Sequence, residues 1–233
     1  MKFPLLILFS VVASFANGQT DSVPERNKFD IGFEGSPSLI FLTGSGVNKD
    51  YNKSTIGFAG GFFFQYNFPK TFSIRTNISF ERKGEITTGK ISLYDFLGNN
   101  IGSATWYDRD NYGYLSMPLL FRVTFGKKIN YFINGGPFFS YLISRTSTLK
   151  YSSTYPKSTN KDYPLDRRFD AGASLGFGIS ISIKKQFLIS CEIRNNSGLY
   201  NICDVPSYTI KSNSTNLLIS FAYMSGIKKA EAK

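Results

Sequence analysis

Six charged residues sit at polar positions of otherwise apolar, alternating stretches: Glu34, Arg75, Glu81, Arg122, Glu192 and Arg194. Carboxylates and guanidiniums placed this way can pair with one another or line a passage that selects solutes. The carboxylates Glu81 and Glu192 could also support hydrolysis. The chain contains no histidine, which removes the commonest general base and metal ligand and leaves no Ser–His nucleophile to build. Cys191 and Cys203 lack metal-ligand spacing. A disulfide between them would need an oxidising compartment, and free thiols are expected because Cys191 falls inside an alternating run and Cys203 well beyond its end. Residues Gly84 to Lys90 match most of a phosphate-binding loop, but Ile91 stands where Ser or Thr is needed, and no helical pattern follows. No catalytic residue, cofactor or metal is expected.

The charges are positioned by runs of period two, the signature of β-strands. Between Asn111 and Ser144, Leu115, Met117, Leu119, Phe121, Val123 and Phe125 alternate with Tyr114, Ser116, Leu120, Arg122 and Thr124. Tyr131, Ile133, Phe139, Tyr141 and Ile143 then alternate with Asn134, Gly136, Ser140 and Ser144. Opposed residues of a hairpin share a face and both apolar sets are odd-numbered, so the connecting loop needs an odd count. Lys127, Lys128 and Ile129 fit. The same reading gives strands over Lys28 to about Leu42, Thr55 to Phe68, Phe72 to Lys83, Arg167 to Ile183, Phe187 to Arg194 and about Asn216 to Tyr223. Pro37, Pro118 and Pro137 are the expected irregularities.

Eight strands result, joined by loops that alternate long and short. The long ones span roughly 43–54, 84–110, 146–166 and 199–212; the short ones are Pro69-Lys70-Thr71, Lys127-Lys128-Ile129 and Lys184-Lys185-Gln186. One rim of tight turns and one of extended loops is the pattern of transmembrane barrels. The expected fold is all-β, an eight-stranded antiparallel up-and-down transmembrane β-barrel, with both termini on the periplasmic side and four loops outside.

A soluble ligand-binding barrel would show the same period with its faces exchanged. Two features argue for the membrane form. The polar face is small, nearly all Gly and Ser in 167–183, which suits a crowded lumen and not a solvated surface. On the apolar face, Phe29, Phe68, Phe72, Phe125, Tyr131, Phe187 and Tyr223 fall level with one another beside the short turns, as an interfacial aromatic girdle would. Glu34, Arg75, Glu81, Arg122, Glu192 and Arg194 then form a lumen network, expected to be a mutually paired plug because eight strands leave little lumen. A narrow pore for small solutes is the alternative.

Residues 1–18 combine Lys2, a short apolar run and Ala16-Asn17-Gly18, a secretory signal peptide. A polar spacer (19–27), the barrel (28–226) and a basic tail (227–233) follow. The formal net charge of +11 and pI near 9.6 would suit nucleic acid only if the cations lay along one continuous track; they fall in turns and loops, and no nucleic-acid partner is expected. Outer-membrane lipid is the expected partner. The loops 95–110 and 151–166, carrying Trp106, Tyr107, Tyr151, Tyr155 and Tyr163, are the candidates for binding envelope proteins or surface polysaccharide.

The runs YLSMPLLFRVTFG (114–126) and YFINGGPFFSYLIS (131–144), with the Phe-rich 55–68 segment and FSIRTNISFERKG (72–84), resemble the PorT-like outer-membrane β-barrel family, a porin-family group. The resemblance implies an integral outer-membrane barrel of Gram-negative cells, and for some relatives a part in type IX protein secretion. One departure is the end of the chain, where eight residues follow Met224 and Ser225 instead of a terminal aromatic.

Overall fold

The computed structural model describes residues 27–45, 47, 51–69, 71–126, 128–152, 158–160, 167–183 and 186–225. The signal-peptide segment, most of the spacer, the tail, Lys70, Lys127, Lys184, Lys185, Tyr155 and Tyr163 lie outside these residues. Ten strands are formed: β1 (Phe29–Thr43), β2 (Asn52–Lys53), β3 (Thr55–Asn67), β4 (Phe72–Tyr94), β5 (Asn100–Phe125), β6 (Asn130–Tyr151), β7 (Ser158–Asn160), β8 (Phe169–Ile183), β9 (Phe187–Gly198) and β10 (Lys211–Ser225). Eight of them close a ring of antiparallel neighbours in the order β1-β3-β4-β5-β6-β8-β9-β10, with β10 returning to β1. Closure leaves no edge in the ring for an uncontrolled pairing.

The alternation resolves as an inside-out protein. Twice as many polar as apolar residues are buried, and residues such as Phe33, Phe62, Ile78, Phe121, Leu175 and Ile219 are more than half exposed on the outer surface. Side chains alternate in and out, so Glu34, Asn134 and Glu192 point into the ring while their neighbours point away. The faces are therefore opposite to those of a soluble barrel, whose lining would be the apolar set.

The turns obey the parity argument. Five residues separate the paired Phe125 and Tyr131, and three separate Ile183 and Phe187, both odd counts. Gly126 has φ +111° in the first of these turns, and a Cβ there would stand 2.2 Å from the Ile129 carbonyl oxygen, so glycine is required. The seven girdle residues lie at this rim, where Phe125 stacks on Tyr131 at 5.9 Å and Phe187 meets Tyr223 edge-on at 5.9 Å. Tyr66 joins them beside Phe29 and Phe68.

Three expectations are corrected. Residues 84–110 and 146–151 are not loops: β4 continues to Tyr94, β5 starts at Asn100 and β6 runs to Tyr151. No register shift occurs at Pro118 or Pro137. It falls instead between Gly113 and Tyr114, opposite Leu142, Ile143 and Ser144, and this bulge turns Ser144 out of the lumen series. Each of the three prolines nevertheless interrupts a ladder without changing its register, since proline brings no N–H: β1–β10 between the pairs Gly35–Ile219 and Ser38–Asn216, β4–β5 between Thr76–Leu119 and Ser79–Ser116, and β5–β6 between Pro118–Phe138 and Phe121–Gly135.

Candidate functional site

The lumen is built in three layers. Nearest the short turns, Gln65 Nε2 donates to Asp30 Oδ2 at 2.9 Å, Asn67 Nδ2 donates to the same oxygen at 2.9 Å, and Ser73 donates to Asn67 Oδ1 at 2.7 Å. Phe63, Leu188, Ala222 and Met224 form a small apolar cluster.

In the middle layer Arg75 and Asn77 donate to the two oxygens of Glu34. Arg194 bridges both carboxylates, reaching Glu34 Oε1 at 3.3 Å through Nη1 and Glu192 Oε1 at 2.5 Å through Nε. Arg122 Nη2 donates to Glu192 Oε2, and Asn134 Nδ2 to Glu192 Oε1, both at 3.1 Å. Phe63 and Phe132 present their rings to Arg75 and Arg122, with guanidinium carbons 3.5 and 3.8 Å from the centroids, a favourable placement for a desolvated cation.

Above it, Lys83 Nζ stands 3.0 Å from Asp170 Oδ2 and 3.7 Å from Glu81 Oε2. Ser212 donates to Asp170 at 2.5 Å, and Ser214 and Ser116 donate to the two oxygens of Glu81 at 2.6 and 3.0 Å. All six charges expected in the lumen are thus buried there and paired. Lys83 and Asp170 complete the set, giving four cations and four anions across these two layers.

The Gly/Ser face of β8 makes room for this packing. A Cβ at Gly176 would lie 2.5 Å from Glu192 Oε1 and 2.6 Å from Asn134 Oδ1, and one at Gly178 would lie 2.6 Å from Phe132 Cζ. Large side chains from β6 and β9 fill the space that β8 leaves empty. A cavity of about 20 Å³ lies among Glu34, Glu81, Phe138, Arg194 and Asn216, room for roughly one water.

Outside the ring, three adjacent strands continue upward. At 23, 26 and 22 residues, β4, β5 and β6 far exceed the 12 to 15 of β9, β1, β8 and β10. Flanked by β2 on β4 and β7 on β6, they form a wall above the long-loop rim. Its lumen-side face is cross-linked: Arg145 Nη2 lies 3.5 Å from Asp110 Oδ1 and over the Tyr112 ring, and Ser147 donates to Asp108 Oδ1 at 2.7 Å. Trp106 lies over Gly89, where a Cβ would meet the indole at 2.6 Å, and pairs across the sheet with Tyr151. Trp106 and Tyr107, expected on a loop, are therefore strand residues, Trp106 half-buried on the inner face and Tyr107 exposed on the outer.

The wall ends in a tight turn, 95–99. Asp95 Oδ1 accepts the backbone N–H of Leu97 at 2.9 Å and of Asn99 at 2.8 Å. These bonds to Asn99 and Leu97 hold the Asp95 carboxyl below the usual carboxylate range. Around the turn, Tyr94, Phe96, Leu97 and Ile101 are 62 to 99 % exposed. Both cysteines are free; Cys191 is exposed on the outer barrel surface. Among the described residues no group of three metal-ligating side chains occurs.

A closed eight-stranded ring with an apolar outer surface and a packed polar lumen defines an integral outer-membrane β-barrel. Residues 15–204 match the family described as outer membrane protein beta-barrel domain, and the chain belongs to that family. No curated protein matches the sequence. Among solved structures, the chain is similar to Neisserial surface protein A (9 % identity, TM-score 0.45, covering 86 % of this chain and 99 % of that one). It is also similar to OprG of Pseudomonas aeruginosa (9 %, 0.40, 87 % and 98 %) and to Ail of Yersinia pestis (10 %, 0.39, 85 % and 99 %).

Proposed function

We propose that this outer-membrane barrel has a closed lumen and serves a structural or interaction role at the cell envelope, exercised through the wall. The observation that carries the reading is the wall itself. Three strands extend past the rim, internally cross-linked, and the two that reach furthest, β4 and β5, end in four exposed apolar side chains. A rigid support that holds an apolar tip away from the membrane presents contact area at little ordering cost. On this reading the long-loop rim faces out of the cell, the signal segment is removed, and envelope or secretion proteins are the partners. The finer PorT-like relationship, with its link to protein secretion, is part of the proposal and rests on the sequence runs that resemble that family. The chain is proposed to catalyse nothing.

Closure of the lumen is supported by the eight matched charges and by a residual cavity of about one water. The corresponding test is planar-bilayer conductance, with no steady current expected. Ohmic steps abolished by Arg122→Ala would overturn the plug in favour of a narrow pore. The wall is tested by replacing residues 89–106 with a two-residue turn, which leaves the Thr88–Tyr107 pair to close the hairpin. The expected result is a folded, heat-modifiable barrel in the outer-membrane fraction that no longer co-purifies the proteins photo-crosslinked from position 96 of the full-length chain. Unchanged secretion and undiminished co-purification of those proteins with that variant would count against the interaction role.

A further inference from the structure

The two faces of the wall carry charge in different ways. Pairings across β2, β4, β5, β6 and β7 fix which residues share each face. On the lumen side stand Glu85, Asp108 and Asp110 together with Arg145. On the opposite face stand Lys53, Arg82, Lys90, Arg109 and Lys150, all exposed, and no described residue there is a carboxylate. Thr88, Ser92, Thr105, Thr146 and Thr148 lie between them, with Tyr107 45 % exposed at the centre. Arg109 also approaches the Thr55 hydroxyl at 3.5 Å, at the root of the wall.

This cationic face is the upward continuation of the lipid-facing surface. Along β4 the outward residues run Phe72, Ile74, Thr76, Ile78 and Phe80 and then change to Arg82, with Lys90 further up. Whatever lies against it stands directly above the leaflet that surrounds the barrel. Height narrows the occupant further. Eight residues from Arg82 to Lys90 span about 26 Å along the strand at roughly 3.3 Å each, or about 20 Å of rise at a tilt near 40°. A simple headgroup layer is only roughly 5–8 Å deep, so it would reach Arg82 and leave the upper cations untouched.

We infer that the outer face of the wall binds an anionic glycolipid of the surrounding leaflet, its phosphate- or carboxylate-bearing saccharide standing upright against Lys53, Arg82, Lys90, Arg109 and Lys150. The five cations meet acidic groups at successive heights, the hydroxyls of the threonines and Ser92 bond to sugar hydroxyls, and the Tyr107 ring offers a flat apolar surface to a sugar face. The occupant belongs to the same membrane, because the patch is continuous with the lipid belt and turned away from the lumen. The inference rests on the proposed orientation of the barrel.

The test uses the mature protein immobilised in zwitterionic detergent, once its heat-modifiable mobility has been confirmed on a gel. Binding of a bis-phosphorylated lipopolysaccharide is measured by surface plasmon resonance and compared with that of soluble sulfated dextran. The triple variant K53Q/K90Q/K150Q is expected to bind the glycolipid at least tenfold more weakly, given the usual gain per cation near an anionic surface. The Lys→Arg triple at the same positions should retain binding, and K128Q/R167Q, outside the patch, should match the wild type. Equal glycolipid binding by wild type and K53Q/K90Q/K150Q would overturn the patch. Sulfated dextran bound as tightly as the glycolipid would overturn the same-membrane occupant in favour of a free polyanion. Failure of the membrane reading itself would show separately, as a chain without heat-modifiable mobility or outside the outer-membrane fraction.

Discussion

The lumen and the wall are continuous strands, yet they treat charge in opposite ways. Inside the ring every cation of the two charged layers touches a carboxylate: Arg194 and Glu192 knit the middle layer into one network, and Lys83 sits between Asp170 and Glu81 in the layer above. Above the ring, carboxylates gather on one face, and on the other stand exposed cations with no carboxylate among the described residues beside them. Solvation accounts for the difference: a buried ion without a counter-ion costs several kcal/mol, whereas an exposed lysine is stabilised by water and is free to meet a ligand. Matched charge in this molecule signals closure, and single-sign charge signals availability.

The comparison can be broken most severely in the lumen. Glu192→Ala strands Arg122 and Arg194 without their shared acceptor and should destabilise the barrel by about 3–5 kcal/mol, read as a lower urea midpoint for loss of the heat-modifiable form. A change below about 1 kcal/mol would mean that water solvates the lumen, and would weaken the plug. In the wall, Gly89→Leu pushes the Trp106 indole off β4. The expected cost is about 1–3 kcal/mol, confined to faster amide exchange in 84–110 with the barrel midpoint unchanged. If both regions soften together, wall and ring are one cooperative unit. A double-mutant cycle on Arg145 and Asp110, whose side chains are about 15 % exposed, should give a coupling near 1 kcal/mol, between the buried network and an open surface pair. No coupling would reduce that pair to an ordinary surface contact.

The smallest effect belongs to the tip. The Asp95 carboxylate, depressed by the N–H groups it accepts, contributes to the turn above its ordinary pKa, and that contribution is lost as pH falls through the lowered value. An NMR titration of its side-chain carbon should therefore show a midpoint below the normal aspartate range. A normal midpoint would mean that the turn is open in solution.

The ring was legible in the sequence because each strand meets lipid on one side and a packed lumen on the other, which forces a strict period of two. Glu34, Arg75, Glu81, Arg122, Glu192 and Arg194 could be placed inward by parity alone. Lys83 and Asp170 were harder: Lys83 closed a predicted strand, Asp170 was a lone charge among glycines and serines, and their contact joins residues 87 apart. The wall was misread as loop because Gly84, Gly89, Gly98, Asn99, Asn100 and Gly102 are turn formers. Pairing of β4 with β5 over a long ladder overrides those local preferences. The β-branched run Ile86-Thr87-Thr88 and the aromatic pair Trp106-Tyr107 were the available signal. The bulge opposite Ile143 left no mark, since Gly113 and Ser144 suit either register.

The interruption at Pro37 bears on the order in which the chain assembles. The β4–β5 ladder grows from a five-residue turn and needs only local contacts, which form fast. The β1–β10 pairing joins the first and last strands of the ring and carries the largest loop-closure cost. Pulse-labelled exchange during refolding should accordingly protect β4–β5 amides first and β1–β10 amides last. Proline gaps also interrupt the β4–β5 and β5–β6 ladders, so what sets the β1–β10 seam apart is its timing: it is the last pairing made, and it closes across a proline gap that leaves its two halves to zip separately.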